Sequence, residues 1–271
     1  MKKMDKLTPL GLVLGSILLI YGMLMGGTNM KIFWDLPSVF ITGGGSFCAV
    51  LMSYSLEDIK NLPKLMVQSF KESEMSSKEI IMNFTGLSRK ARREGLLSLE
   101  EEISQIDDKF LKKGLQMVVD GIEPETIKDI LELEIGEMED RHSKNANIFT
   151  TWGAFAPAFG MIGTLIGLVQ MMQNLTDVDS IAKGMGVALL TTFYGTVLAN
   201  LFCVPIANDL KRKSSKEVSI REMMLEGILS IQSGVNPRIV EEKLLTYLHP
   251  KVRLEYQNGV SELSEGVVEN G

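Results

Sequence analysis

Two uncharged stretches of the chain, 145–176 and 184–208, carry hydroxyl groups and prolines that a plain hydrophobic helix does not need. These residues are Thr164, Thr191, Thr192, Pro157 and Pro205. Each proline removes a helical hydrogen bond and frees a backbone carbonyl oxygen. At membrane depth, protein or water must satisfy such a carbonyl. The hydroxyl groups and the freed carbonyls together favour a packed inner surface that faces something wet or polar.

Glycines accompany these polar groups at helical spacing. Gly160, Gly163 and Gly167 form a G-x-x-G-x-x-x-G pattern in APAFGMIGTLIG, and Gly195 lies in the second stretch. Small residues allow neighbouring helices to approach closely in lipid. Ordinary tight packing, with each threonine bonded to its own helix backbone, explains any single one of these residues. The set as a whole favours the polar inner surface.

The helices that position these residues are indicated by four segments of the chain that lack Asp, Glu, Lys and Arg. These uncharged windows are 7–30, 36–56, 145–176 and 184–208. About 20 helical residues cross a hydrocarbon core of about 30 Å. A soluble protein would have to bury four helices that are apolar on every side. Composition therefore predicts an all-α membrane protein with four spans, at about 7–27, 36–56, 148–174 and 182–207.

Charged segments surround these spans. Residues 57–144 predict a large helical domain between helices 2 and 3, and residues 209–271 predict a helical tail with a disordered end. Basic residues mark the cytoplasmic side of a membrane protein. They flank all four spans on one side, at Lys2, Lys3, Lys6, Lys60, Lys64, Arg141, Lys144, Lys211, Arg212 and Lys213. Both chain termini and the large domain are therefore expected in the cytoplasm.

The four uncharged windows contain no carboxylate, lysine, arginine or histidine, although ion pathways through a bilayer usually depend on such groups. A pump or channel that works without a partner is therefore disfavoured. The glycine-rich TGGGS at 42–46 lacks the lysine of a phosphate-binding loop. The two histidines, His142 and His249, are isolated, so no metal site is predicted. An enzyme is the least favoured class.

The sequence SRKARREGLLSLEEEI separates positive from negative charge. Arg89, Lys90, Arg92 and Arg93 form a basic cluster, Glu100 begins an acidic one, and Gly95 lies between them as a candidate helix end. Opposite patches of this kind can steer a charged partner. The pattern alone favours a solvated surface with internal ion pairs over a docking patch. Nucleic-acid binding is disfavoured because acidic residues outnumber basic ones here.

The four-span layout and several motifs resemble the MotA/PomA family, the ion-driven stator subunit of the bacterial flagellar motor. The motifs are ARREGLLSLE, VVDGIEPE, APAFGMIGTLIGLVQMM and ALLTTFYGTVLANLFCVPIA, and the similarity extends from Met4 to about Tyr247. The resemblance implies a pentameric ring in the bacterial inner membrane around a dimer of a MotB/PomB-type subunit. That partner would supply a transmembrane aspartate. Membrane lipids and the rotor protein FliG are the other implied partners, and no cofactor is implied.

The resemblance also assigns roles to residues at matching positions. Arg92 and Glu100 match the charged pair that meets FliG, with Arg89, Lys90 and Arg93 beside them. Pro157 and Pro205 match prolines linked to conformational change during torque generation. Thr164 and Thr192 match hydroxyls associated with sodium use, and Thr191 is adjacent. Hydroxyl and carbonyl oxygens suit a hard cation, so the sequence favours transient sodium near Thr164 and Thr192, with the proton as the alternative ion.

The second hypothesis is an ExbB/TolQ-like energiser of envelope processes, which uses the same physical principle. Relatives of that kind have three spans and the opposite amino-terminal orientation. The four windows and the distribution of basic residues favour the stator subunit.

Overall fold

The fold consists of helices throughout the part of the chain that a computed structural model describes, residues 7–25, 29–69, 76–173 and 175–257. No β-strand occurs in these ranges. The predicted all-α class is confirmed. The predicted disordered end of the tail, beyond residue 257, lies outside the described residues.

The helices follow one another in a simple order. α1 is Leu7–Met25, and α2 comprises Leu36–Val39, a π-helical segment Phe40–Gly44, and Gly45–Ser53. The next six are α3 Leu56–Lys60, α4 Leu62–Ser69, α5 Ser77–Glu94, α6 Glu100–Gln105, α7 Lys109–Val119 and α8 Pro124–Gln173. The last four are α9 Val178–Val197, α10 Val204–Gln232, α11 Pro237–Leu245 and α12 at 250–257. Two 3₁₀ turns, Met30–Phe33 and Leu96–Leu99, and a second π-helical segment, Leu198–Cys203, connect them.

Three helical stretches among the described residues are long and apolar enough to cross a membrane: Met30–Ser53, Pro124–Gln173 and Val178–Gln232. A shorter apolar segment, Pro9–Met25, lies within α1. α8 begins at Pro124, a position that proline suits because its fixed φ matches the first helical turn. It continues as one helix to Gln173, with Pro157 inside it.

The chain divides into two compact units. The first contains Met1–Glu72 and Arg141–Ser214, and the second contains Ser73–Asp140 and Ser215–Gly271. Within the first unit, Leu62 and Leu65 of α4 pack in one cluster with Val50 of α2, Phe149 of α8 and Ile206 of α10.

The second unit has one hydrophobic core made from two distant parts of the chain. Phe84 of α5 and Leu115 of α7 are fully buried together with Ile228 of α10 and Val240 of α11. Residues 76–140 and 215–257 therefore share one core and fold as one body. The chain is helical through Gln232 and then turns, where Gly234 adopts a φ of +63°.

Candidate functional site

Gly160, Gly163 and Gly167 of α8 lie where this helix touches α9. A Cβ atom added to Gly160 would lie 2.9 Å from the carbonyl oxygen of Thr191, and one added to Gly163 would lie 2.6 Å from the Thr191 hydroxyl oxygen. A Cβ added to Gly167 would lie 2.7 Å from the backbone nitrogen of Ala188. Only glycine fits such spacings, so the three glycines allow close backbone contact over two helical turns.

Threonine hydroxyls gather on the same pair of helices. The hydroxyl oxygen atoms of Thr164 and Thr192 lie 2.6 Å apart, and that of Thr164 is also 3.1 Å from the carbonyl oxygen of Gly160. The carbonyl oxygen of Ala188 lies 3.0 Å from the Thr164 hydroxyl and 3.2 Å from the hydroxyls of Thr191 and Thr192. We call these three hydroxyls and the carbonyls of Gly160 and Ala188 the oxygen cluster.

Each hydroxyl of the oxygen cluster has one proton, but Thr164 and Thr191 have more than one acceptor within reach. Thr191 can donate to Val187 at 2.8 Å instead of Ala188, and Thr164 can donate to Gly160 or Ala188. A hydroxyl proton rotates to suit its surroundings. The protons can therefore turn toward alternative carbonyls and leave oxygen lone pairs available to a cation.

The two prolines occupy different settings. Pro157 lies inside α8, where α9 packs closely against it. A Cβ added to Gly195 of α9 would lie 3.1 Å from the Cα atom of Pro157 and 2.5 Å from the Ala156 carbonyl oxygen. Pro205 is the second residue of α10 and directly follows the π-helical segment. There the Val204 N–H donates to the carbonyl of Ala199, five residues earlier. Both prolines thus lie where the helical hydrogen-bond ladder is interrupted or shifted.

The charged sequence motif lies in the second unit and is not one continuous helix. α5 ends at Glu94, and Gly95 has a φ of +88°, which favours glycine. The fully buried Leu99 anchors the following 3₁₀ turn before α6 begins at Glu100. The expected helix end at Gly95 is confirmed. Arg92 and Glu100 are therefore presented by two separate helices.

The five charged residues predicted for the rotor interface differ in their partners. Lys90 donates from Nζ to Glu102 Oε1 at 2.9 Å, and this hydrogen bond raises the pKa of Lys90 above its ordinary value. Arg93 pairs with its neighbour Glu94, with its Nε 3.0 Å from Glu94 Oε1. Arg92 and Glu100 are exposed and have no ion pair or hydrogen-bond partner among the described side chains. Arg89 is exposed as well.

The sequence does not predict a partly buried ion pair that the second unit contains. Arg221 of α10 donates from Nη1 to both carboxylate oxygens of Asp108, at 2.7 and 2.9 Å, and its guanidinium lies 5.0 Å from the centre of the Phe110 ring. Asp108 also accepts from the Leu111 N–H and so caps α7. The two partners are 113 residues apart, a distance that local patterns do not reveal.

Within the described ranges, no three His, Cys, Asp or Glu side chains converge as metal ligands do. The polar groups of the oxygen cluster in the first unit are neutral hydroxyls and carbonyls. Such oxygens suit a weakly held hard cation or ordered water rather than a tightly bound metal ion.

Comparison with known proteins matches both halves of the chain to one family. Residues 9–95 match the model of the motility protein A amino-terminal region, and residues 102–223 match the MotA/TolQ/ExbB proton channel family. Motility protein A of Borreliella burgdorferi is 44% identical over 92% of this chain and 95% of its own length. Chemotaxis protein PomA of Vibrio alginolyticus is 36% identical over 91% of this chain and 96% of its own length.

A solved structure agrees with these sequence matches. The flagellar MotAB stator complex of Bacillus subtilis contains a chain that superposes with a TM-score of 0.87 at 38% identity, covering 93% of this chain and 99% of that one. These matches define the class of the chain as an ion-channel protein of bacterial motility and not an enzyme. The chain belongs to the motility protein A family, within the MotA/TolQ/ExbB proton channel proteins.

Proposed function

We propose that this chain is a stator subunit of the bacterial flagellar motor. With a MotB/PomB-type partner it forms an ion channel that converts ion flow into torque on the rotor. The observation that carries the proposal is the superposition on a MotAB stator chain over 93% of the present chain at 38% identity. The MotA/TolQ/ExbB proton channel match over residues 102–223 supports the ion-channel part.

The partner accounts for what the predicted spans lack. The four uncharged windows contain no carboxylate or basic side chain suited to relaying ions, so a dimer of the MotB/PomB-type subunit supplies the transmembrane aspartate. Five copies of this chain surround that dimer as a ring. α8 and α9 leave large apolar side chains exposed, at Met161, Leu165 and Leu189. Neighbouring copies, the partner or membrane lipids cover these surfaces.

The oxygen cluster provides the ion path. Thr164 and Thr192 present their hydroxyl oxygens 2.6 Å apart, and the carbonyls of Gly160 and Ala188 lie within hydrogen-bond distance of Thr164. A partly dehydrated sodium ion is stabilised by such neutral oxygens, and the Thr191 hydroxyl belongs to the same cluster. Sodium is therefore the favoured ion and binds transiently. The proton remains the alternative, in which case the hydroxyls serve in packing.

The layout in the inner membrane follows the distribution of charge. α1 forms a fourth span beside the three longer candidates, and both termini and the second unit lie in the cytoplasm. There Arg92 and Glu100, exposed on separate helices, meet the rotor protein FliG, with Arg89, Lys90 and Arg93 around them. Pro157 and Pro205 allow α8 and α10 to change shape as the ion passes.

An energiser of the ExbB/TolQ type is the second candidate, because the family model over residues 102–223 includes those proteins. The match of residues 9–95 to the motility protein A amino-terminal region favours the stator.

The proposal is tested by expressing the chain with its cognate partner in a flagellated host that lacks its own stators. We expect the two proteins to purify together and tethered cells to rotate. A chain that reaches the membrane and binds the partner but produces no rotation would overturn the stator role. Rescue of an ExbB- or TolQ-deficient strain instead would establish the second candidate.

A further inference from the structure

A hydroxyl of α2 touches the backbone that carries the oxygen cluster. Thr42 is buried, with 1% of its surface exposed, and its hydroxyl donates to the carbonyl oxygen of Thr191 in α9 at 3.2 Å. Thr42 contributes no atom to the oxygen cluster itself. Its contact is with the peptide group immediately before Thr192.

The local shape of α2 brings Thr42 to this place. Thr42 lies in the π-helical segment Phe40–Gly44, after which the Gly45 N–H lies within hydrogen-bonding reach of the Phe40 carbonyl, five residues earlier. A Cβ added to Gly45 would lie 2.6 Å from a ring carbon of Phe159, so the glycine lets α2 approach α8 closely. π-helical turns interrupt the regular spacing of side chains and occur frequently at functional sites.

The Thr191 carbonyl is confined by two helices. Thr42 donates to it from α2, and Gly160 of α8 lies so close that an added Cβ would be 2.9 Å from the same oxygen. A peptide bond is planar, so the Thr191 carbonyl and the Cα of Thr192 move together. Holding the Thr191 carbonyl oxygen in place therefore also holds the Cα atom from which the Thr192 side chain extends. The hydroxyl of that side chain lies 2.6 Å from the Thr164 hydroxyl.

We propose that Thr42 is a positioning residue of the ion path: its hydroxyl holds the peptide between Thr191 and Thr192 and thereby sets the spacing of the Thr164 and Thr192 hydroxyls. The role of Thr42 rests on the proposed function, since it matters only if ions pass the oxygen cluster. Loss of the Thr42 hydroxyl widens the range of positions of Thr192 and weakens ion binding. The rest of the torque machinery stays intact, so the maximal speed is kept when the ion is abundant.

The test compares Thr42→Val, which keeps the side-chain shape without the hydroxyl, with Thr42→Ser, which keeps the hydroxyl. Each variant is expressed with the cognate partner in a host without stators, and motor speed is measured against the concentration of the driving ion, sodium or proton. Supporting groups behind a metal ligand typically contribute about tenfold to affinity. We expect Thr42→Val to raise the half-saturating ion concentration about tenfold with near-normal maximal speed, and Thr42→Ser to restore the normal value.

An unchanged half-saturating concentration in Thr42→Val would overturn the positioning role. Equal losses of maximal speed in the Val and Ser variants would do the same, because they would indicate packing alone. If Thr42→Val does not reach the membrane, Thr42→Ala takes its place with the same expected shift. A native chain that drives no rotation would overturn the proposed function itself. If the native motor rotates but Thr42→Val leaves the half-saturating ion concentration unchanged, only the role of Thr42 is overturned.

Discussion

The hydroxyl oxygen atoms of Thr164 and Thr192 lie 2.6 Å apart, although the two residues belong to different helices and are separated by 28 positions in the chain. The close contact depends on Gly160 and Gly163, where any side chain would collide with Thr191. The helix packing and the oxygen cluster are therefore parts of one arrangement, and substitutions can separate their contributions.

Removing the Thr164 hydroxyl tests the oxygen cluster. In a sodium-driven motor, Thr164→Ala deletes one oxygen ligand and should raise the sodium concentration for half-maximal speed by about tenfold, by analogy with losses at other metal sites. Thr164→Ser should stay near the native value. The matched control is Thr196→Ala, since the Thr196 hydroxyl bonds, within the part of the chain that the structure describes, only to the Thr192 carbonyl of its own helix. Equal shifts in the Thr164 and Thr196 variants would contradict an ion path at this cluster.

Charge reversal tests the rotor-facing surface. Arg92→Glu and Glu100→Lys each turn an expected attraction into a repulsion, which costs about 1 to 2 kcal/mol at an exposed interface. Stall torque of tethered cells should fall, and membrane levels should stay normal because neither side chain has a partner among the described residues. Lys112→Glu, an exposed reversal on α7, serves as the control. Normal torque in both test variants would remove Arg92 and Glu100 from the interface.

Two glycines of α9 separate close packing from helix propensity. A Cβ at Gly195 would lie 2.5 Å from the Ala156 carbonyl oxygen, whereas one at Gly186 meets nothing within 4 Å. Alanine favours a helix over glycine at both sites, but overpacking at Gly195 should cost about 1 to 3 kcal/mol. Thermal unfolding of the purified complex should therefore show a lower midpoint than the native complex for Gly195→Ala. For Gly186→Ala the midpoint should not fall below the native value. A Gly195→Ala midpoint at or above that of Gly186→Ala would contradict the packing.

The ion pair between Asp108 and Arg221 should dominate the polar contribution to the second unit. Both side chains are largely buried, at 14% and 17% exposed, so Arg221→Met should cost about 2 kcal/mol of unfolding free energy. Lys113→Met removes the exposed pair with Glu134, which is 49% and 40% exposed, and should cost less than about 1 kcal/mol. Denaturant unfolding of the two variants checks the order. A larger loss for Lys113→Met would contradict it.

Local sequence patterns foresee much of this fold. The uncharged windows place the apolar helices, Pro124 marks the start of α8, and Gly95 marks the end of α5, because each signal acts on its own backbone. The shared core of the second unit could not be foreseen in this way. Phe84 and Ile228 are fully buried in one cluster although they are 144 positions apart, and burial patterns do not identify partners.

For the candidate site, too, the sequence predicts the residue types but not the contacts between distant residues. The threonines and glycines of α8 and α9 are visible as residue types, but their mutual distances arise from the crossing of two helices. The sequence places Thr42 in the glycine-rich stretch TGGGS but does not indicate that it contacts α9. A helical repeat of 3.6 residues does not anticipate the π-helical turn that brings it to Thr191.

The most direct test of the central claim is the speed of single motors that contain this chain and its cognate partner, measured while sodium is varied at fixed pH and ionic strength. We predict rotation whose speed rises with sodium and saturates, because ions pass the Thr164 and Thr192 hydroxyls as torque is produced. Rotation that is indifferent to sodium but follows the proton gradient would keep the stator role and reassign the ion. Motors that stay still with both proteins assembled in the membrane would contradict the account.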